Sequence, residues 1–242
     1  MKIRGDNMIP EIKLNISSPK SETVICSMAI GAKHVNMLKI MGQTLSHYAH
    51  LHQMDHFLLE LIDQRLDDSR PPAWDKIIFL NHMLQFYDTV IWVDCDAIIC
   101  NPEPDIRDSL IGEYPMYLVY QEWGNIPNTG VWVLKRKRKT KKILNKIWEN
   151  TKFLNHVWWE QSALMDLMGY TFKTDNPQPH DVKFNPTKYC KYIGPLDRKW
   201  NSCCCKITDE TIIKHYCGNR NDSVVDKLKA DYDTFTRKMD NR

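Results

Sequence analysis

Thirteen residues in the middle of the chain, TVIWVDCDAIICN (89–101), constrain its fold more than any other segment. Val90, Ile91, Trp92 and Val93 form an unbroken apolar run of the kind that fills a strand buried on both faces. Asp94 and Asp96 then interrupt it before Ala97, Ile98 and Ile99 resume it. An ionised carboxylate leaves water only where a counter-charge or several hydrogen bonds replace its hydration. The strand is therefore expected to end in a cleft where something positive meets two acids. Paired carboxylate oxygens suit a hard or borderline divalent ion such as Mg²⁺ or Mn²⁺. The alternative is a hydrogen-bonded acid pair at a strand end.

The surrounding segments alternate in period. TVICSMAIG (23–31) reads as a strand closed by a small-residue turn, followed by a helix over about 33–52 and a second strand over 56–62. The acids and serine of 67–69 and the proline pair that follows punctuate the chain, and an amphipathic helix is expected over 74–86. Strand, helix, strand, helix, strand argues for an α/β sandwich around a mixed, mostly parallel sheet, in which ligands gather at the carboxyl ends of the strands. YPMYLVYQ (114–121) and TGVWVLK (129–135) read as two more strands joined by a turn over 122–128. Helices are expected over 139–153, 158–169 and 223–239, and the proline-rich stretch from 170 to 201 reads as loop. With no internal repeat and no linker, the expectation is a polar leader (1–22) followed by a single domain (23–242).

Composition narrows the function classes. With 33 basic against 30 acidic residues, the net charge of +3 is too small to imply a polyanionic partner by itself. The basic run KRKRKTKK (135–142) reads as a solvated face, and a nucleic-acid or anionic-surface binding protein is the non-enzymatic alternative. No window approaches the ~18 apolar residues of a membrane span, so a soluble, cytoplasmic protein is expected, with a luminal catalytic domain as the alternative. None of the eight cysteines is spaced C-x-x-C, which argues against a zinc ribbon. They read as reduced, mostly buried thiols, with a disulfide framework as the alternative. A second D-x-D, Asp231 and Asp233, lies in a polar helical run and reads as facing water.

His215, in IIKHYCGN, is a core histidine or a third ligand; two carboxylates with an imidazole would favour Mn²⁺ over Mg²⁺. Six short pieces then occur in order: HYAHLHQMDHFLL (47–59), RPPAWDKI (70–77), YDTVIWVDCDAII (87–99), PNTGVWVLK (127–135), WEQSAL (159–164) and HYCG (215–218). In this the chain resembles the GT-A glycosyltransferases of family 34, the galactosyl, xylosyl and mannosyl group, with a fainter likeness to the glycogenin group. The resemblance implies a GT-A fold and metal-dependent transfer of a hexose or pentose from a UDP-sugar to a glycan or other hydroxyl acceptor. It also implies retention at the anomeric carbon, an inverting GT-A enzyme being the alternative. It assigns the metal to Asp94, Asp96 and His215, with Asp94 also reaching the donor ribose and Asp96 the more direct ligand. Donor contacts fall to Ala29, Lys76, Asn128, Gly218 and Arg220. Gln161 would hydrogen-bond the donor sugar, and Glu160 would lie on the sugar face opposite the leaving group. One departure stands out: the lysine expected six residues after the metal histidine is Asn221, with Arg220 beside it. Acceptor specificity is expected within 176–205.

Overall fold

The computed structural model describes residues 8–122, 124–203, 208–218 and 223–240. Its first half follows the alternation of the sequence: β1 (Thr23–Ile30), α1 (Ala32–Leu51), β2 (Asp55–Leu61), α2 (Asp75–Met83) and β3 (Thr89–Val93). After the two aspartates come β4 (Ala97–Ile99), β5 (Met116–Gln121), β6 (Ile126–Lys135), α3 (Arg138–Glu149) and α4 (Trp159–Met168). The remainder adds β7 (Tyr170–Phe172), β8 (Val182–Phe184), β9 (Ile193–Leu196), β10 (Ser202–Cys203), β11 (Ile213–His215) and α5 (Ser223–Asp240).

Six strands form the main sheet in the order β2-β1-β3-β6-β5-β9. β1 pairs in parallel with β2 and β3, β6 runs antiparallel to both β3 and β5, and β9 is parallel to β5, so β6 alone is reversed. Both faces are covered, which explains the near-continuous apolar strands. Val90 and Trp92 pack with α2, α3 and α4, whereas Ile91 and Val93 pack with α1. The carboxyl end of β3 therefore opens between two helical layers.

A second, three-stranded sheet, β10-β11-β4, sits at that end. β4 begins immediately after Asp96, and β11 lies antiparallel to it with His215 opposite Ala97. The backbone N–H of Tyr216 donates to the Asp96 carbonyl at 2.9 Å, continuing the ladder past the strand. This short sheet carries His215 to the acids from the far end of the chain.

The entry to α2 is locked by charge. Arg65 forks onto both oxygens of the fully buried Asp75 (2.8 and 2.9 Å), and the Leu66 N–H donates to the same carboxylate at 2.9 Å. A carboxylate in the first turn also suits the helix dipole. Pro72–Trp74 makes a 3-10 turn ahead of the helix, and the Arg70 guanidinium stacks 3.8 Å above the Trp148 ring. The expected amphipathic helix over 74–86 is thus shorter and buried nearly all round, because sheet and α3 enclose it.

Other expectations change too. The stretch read as loop from 170 to 201 contains β7, β8 and β9, the last completing the main sheet through backbone pairing that needs no alternating pattern. The turn read over 122–128 is tighter, since Ile126–Asn128 already belong to β6 and Gln121 pairs with Ile126. Cys203 and Cys217 form a disulfide, against the expectation of reduced thiols, while Cys26, Cys95, Cys100 and Cys190 are free. Asp231 does not simply face water: it sits 2.6 Å from Lys214 on β11 and accepts a short hydrogen bond from the Tyr216 hydroxyl. The basic run crosses from β6 into α3 on an exposed face, where Arg136 pairs with Asp88 and Lys137 with Glu113. No helix among the described residues is long and apolar enough to cross a membrane.

Gly169 ends α4 at φ 105°, and a Cβ there would stand 1.9 Å from the Asn185 carbonyl oxygen. Gly169→Ala is expected to cost about 2 kcal/mol or more, from left-handed strain plus displacement of the β8 exit. Urea unfolding measures it, and a loss below about 0.5 kcal/mol would contradict the assigned turn.

Candidate active site

Two clusters of polar side chains meet at the carboxyl end of β3. On one side Asp94, Asp96 and His215 each offer a ligand atom, all lying within 4.8 Å of one another. His215 Nε2 stands 3.2 Å from Asp96 Oδ1 and 3.8 Å from Asp94 Oδ2. On the other side Lys76 Nζ lies 2.8 Å from Asp94 Oδ1 and 2.9 Å from Glu160 Oε1. Asp94 joins the two: Oδ1 accepts from Trp92 Nε1 at 2.6 Å and faces Lys76, while Oδ2 faces the histidine.

The resemblance assigns Lys76 to donor phosphates or sugar; in the structure its ammonium faces carboxylates. A lysine ammonium has three N–H donors. Asp94, Glu160 and, at 3.4 Å, the Thr129 carbonyl take all three. Burial alone would lower the Lys76 pKa, but the Asp94 and Glu160 carboxylates outweigh it and hold it above the usual lysine value. Glu160 is likewise turned inward. It is 4% exposed, and its Oε1 also accepts from the Thr129 hydroxyl at 3.1 Å. The preceding residue, Trp159, takes a left-handed φ of 39°, which is costly for an aromatic residue and persists only where surroundings impose it.

Gln161 accepts the Thr129 N–H at 3.2 Å through Oε1, which leaves its amide nitrogen as the group able to reach a ligand. Asn128 Oδ1 accepts from Gly130 N and from Asn201 Nδ2, both at 2.8 Å, so its carbonyl is committed and its own amide N–H₂ is what it can present. Gly130 has no room for a side chain, because a Cβ would lie 2.1 Å from His215 Cε1. Ala29 is buried in β1 against α1, and Gly218 has φ 71° with open space around it. Arg220 and Asn221 lie outside the described residues. Asn201, which no sequence pattern singles out, is fully buried and bonds both Asn128 and His215.

The donor set fits a divalent cation. Asp94, Asp96 and Glu160 against one ammonium leave two negative charges when the imidazole is neutral, and carboxylate oxygens with an imidazole nitrogen suit Mn²⁺. When protonated, the imidazole supplies a counter-charge to the two aspartates. Burial lowers the His215 pKa, but Asp96 outweighs burial and raises it above the ordinary value of 6.5. For Asp96 burial raises the pKa, and His215 outweighs it to bring it below 3.8. The His215 contribution to stability is fully present below pH 6.5 and is lost as pH rises through its folded value. That of Asp96 is present above pH 3.8 and is lost as pH falls through its folded value. The pair is strongest between those limits.

An open cleft of about 500 Å³ lies apart from these groups, at the carboxyl ends of β5 and β9. Tyr120, Asn125, Pro195, Leu196, Asp197 and Arg198 line it. Gln121, next to Tyr120, donates to the Asn201 carbonyl at 3.0 Å, so the cleft wall and the histidine support share a segment.

No family profile matches the chain, and no curated protein sequence matches it. Solved structures do. A glycosyltransferase involved in glycosylation of the major capsid of PBCV-1 aligns over 86% of this chain and 98% of its own, with TM-score 0.63 and 12% identity. The galactosyltransferase LgtC, solved with donor and acceptor sugar analogues, aligns over 87% and 95%, with TM-score 0.54 and 11% identity. The glycosyltransferase GlyE of Streptococcus pneumoniae TIGR4 aligns over 90% of this chain and 63% of its own, with TM-score 0.54 and 14% identity. The chain has the GT-A glycosyltransferase fold, as the resemblance implied.

Removing the ammonium strands a buried carboxylate. Lys76→Met is expected to destabilise the protein by about 3–5 kcal/mol in chemical denaturation, and adding Glu160→Leu should recover part of that loss. A Lys76→Met variant within about 1 kcal/mol of wild type would contradict the inward pairing.

Proposed function

We propose that the protein is a Mn²⁺-dependent glycosyltransferase that moves a hexose or pentose from a UDP-sugar to a hydroxyl acceptor, with retention at the anomeric carbon. The observation that carries this reading is the meeting of Asp94, Asp96 and His215 at the carboxyl end of β3. The fold shared with glycosyltransferases supports it.

A bound divalent cation supplies Lewis-acid neutralisation of the charge developing on a nucleoside diphosphate leaving group. The chain's own residues do the rest. Asp94 Oδ2, Asp96 and His215 Nε2 hold the cation, and Lys76 with Trp92 Nε1 keeps Asp94 from turning away. With all its donors spent, Lys76 orients carboxylates and does not clamp phosphate. Phosphate contacts then fall to the cation and to Arg220, the basic residue closest in sequence to the histidine segment's end. Gln161 and Asn128 present amide N–H groups toward the sugar, their carbonyls being tied back to β6. The cleft at Tyr120, Asp197 and Arg198 suits a glycan acceptor, since it combines an aromatic ring with charged and amide groups.

Retention is favoured by the state of the site carboxylates. Inversion needs a carboxylate free to take the acceptor proton. Asp94 and Asp96 face the cation position, and Glu160 is bonded to Lys76 and Thr129. NMR of the first-formed product should therefore show the donor's anomeric configuration; the opposite anomer would sink the retaining assignment.

Titration calorimetry of UDP should give binding that requires Mn²⁺, and Asp96→Asn should weaken Mn²⁺ binding by at least about tenfold, or 1.4 kcal/mol. Equal UDP affinity with and without the metal would remove the basis of the reading. The raised His215 pKa adds a pH signature, because the imidazole must lose its proton before it can ligate. Mn²⁺ affinity should rise roughly tenfold per pH unit below that pKa and level off above it. A flat profile from pH 5.5 to 8 would exclude His215 as a ligand.

A further inference from the structure

The direction of one buried hydrogen-bond chain can be worked out from its end. The Gly130 N–H can only donate, so the Asn128 atom 2.8 Å away is its carbonyl oxygen. That oxygen also meets the Asn201 side chain at 2.8 Å, and between two side-chain amides the partner of a carbonyl must be the N–H₂. Asn201 therefore turns its own Oδ1 toward His215 Nδ1, again at 2.8 Å. An amide oxygen only accepts, so Nδ1 carries a proton in either charge state: in the imidazolium Nε2–H donates to Asp96 Oδ1, and in the neutral ring Nε2 is the nitrogen left with the lone pair.

We propose that Asn201 is a positioning residue that locks His215 in the Nδ1–H tautomer and thereby aims Nε2 at the cation site. This rests on the metal-site reading above. Three observations carry it beyond a chance contact. Asn201 is fully buried, so its amide cannot exchange these partners for water. Its backbone is held on both sides, the carbonyl accepting from Gln121 Nε2 at 3.0 Å and the N–H donating to the Arg198 carbonyl at 3.0 Å. The ring has no freedom to step aside, since Gly130 Cα packs against it so closely that a Cβ would fall 2.1 Å from Cε1. Outer partners that orient a ligating histidine in this way are worth about 10–100-fold in metal affinity.

The role also explains features with no other account on the catalytic side. Asn128 spends its carbonyl on the relay and not on a ligand, and Gln121 is buried at the end of β5 to pin a loop backbone. Cleft and cation site are linked through the same residue, because Arg198 lines the cleft and Asn201 follows it by three positions.

The test uses the full chain, ¹⁵N-histidine labelled, with two readouts. Long-range ¹H–¹⁵N spectra of metal-free protein at alkaline pH report the tautomer, with the His215 signal assigned from its loss in His215→Gln. Mn²⁺ dissociation constants come from electron paramagnetic resonance. Wild type should show the Nδ1–H tautomer. Asn201→Leu should lose it and bind Mn²⁺ about 10–100-fold more weakly. Asn128→Ala leaves Asn201 in place but removes what sets its sense, so it should move both readouts the same way by less; it keeps the test decisive should Asn201→Leu fail to fold. Asn128→Asp retains an oxygen that accepts both bonds and should restore the wild-type tautomer. A His215 signal unchanged in tautomer across these variants, with Mn²⁺ affinity within twofold of wild type, overturns the proposal. Wild type that shows the Nδ1–H tautomer yet binds Mn²⁺ no better than His215→Gln overturns the metal-site reading and, with it, the aim assigned to Nε2. An Nε2–H tautomer in wild type overturns the relay itself.

Discussion

Everything at this site depends on a three-residue antiparallel ladder. β4 starts where the D-x-D motif ends, and β11 pairs with it so that His215 lies opposite Ala97. The imidazole and the Asp96 carboxylate it meets are 119 positions apart in sequence. A slip of one residue in so short a ladder would turn His215 to the other face and leave two acids without their partner. Several independent contacts oppose such a slip: the Tyr216 N–H on the Asp96 carbonyl, the Cys203–Cys217 disulfide beside the strand, and the Lys214–Asp231 ion pair that ties β11 to α5. The bareness of Gly130 completes the arrangement by making room for the ring.

The second constraint is charge. Three carboxylates converge on a buried strand end, and a structure that left them unpaired would be too costly to keep. Lys76 neutralises the inner pair, Asp94 and Glu160, from within α2, and Arg65 on Asp75 sets the angle at which α2 delivers it. This leaves Asp94 Oδ2 and Asp96 with a histidine whose charge is conditional. With Lys76 positive, a protonated imidazole lowers the excess negative charge of the three carboxylates from two to one. The inner ammonium and the imidazole thus divide between them a task that the D-x-D motif alone does not specify.

Much of this was legible in the sequence, for identifiable reasons. β1, α1, β2 and β3 carry clear apolar periods, and the acids after Val93 stand out because apolar residues flank them on both sides. The ordered short motifs pointed to the GT-A fold. What escaped were contacts set by tertiary geometry. β9 joins the sheet by backbone pairing, with Gly194 and Pro195 in its middle, so it shows no strand period. Asn201 sits among charged and polar neighbours in RKWNS, and burial, which no local pattern encodes, is what gives it a role. The partners of Lys76 were equally hidden, since Asp94, Glu160 and Thr129, which take its three donors, lie on segments distant in sequence. The second D-x-D shows the converse error: Asp231 looked solvated because the lysine it pairs with lies on a strand distant in sequence.

The central claim is that one ion is shared by the end of β3 and the end of β11. A crystal of the protein grown with MnCl₂ and UDP, measured across the manganese absorption edge, tests it directly. The account predicts one strong anomalous peak within about 2.0–2.3 Å of an oxygen from Asp94 or Asp96 and of His215 Nε2, with diphosphate density beside it. Manganese bound elsewhere, or bound to the aspartates with the imidazole still turned to Asp96 alone, would contradict it.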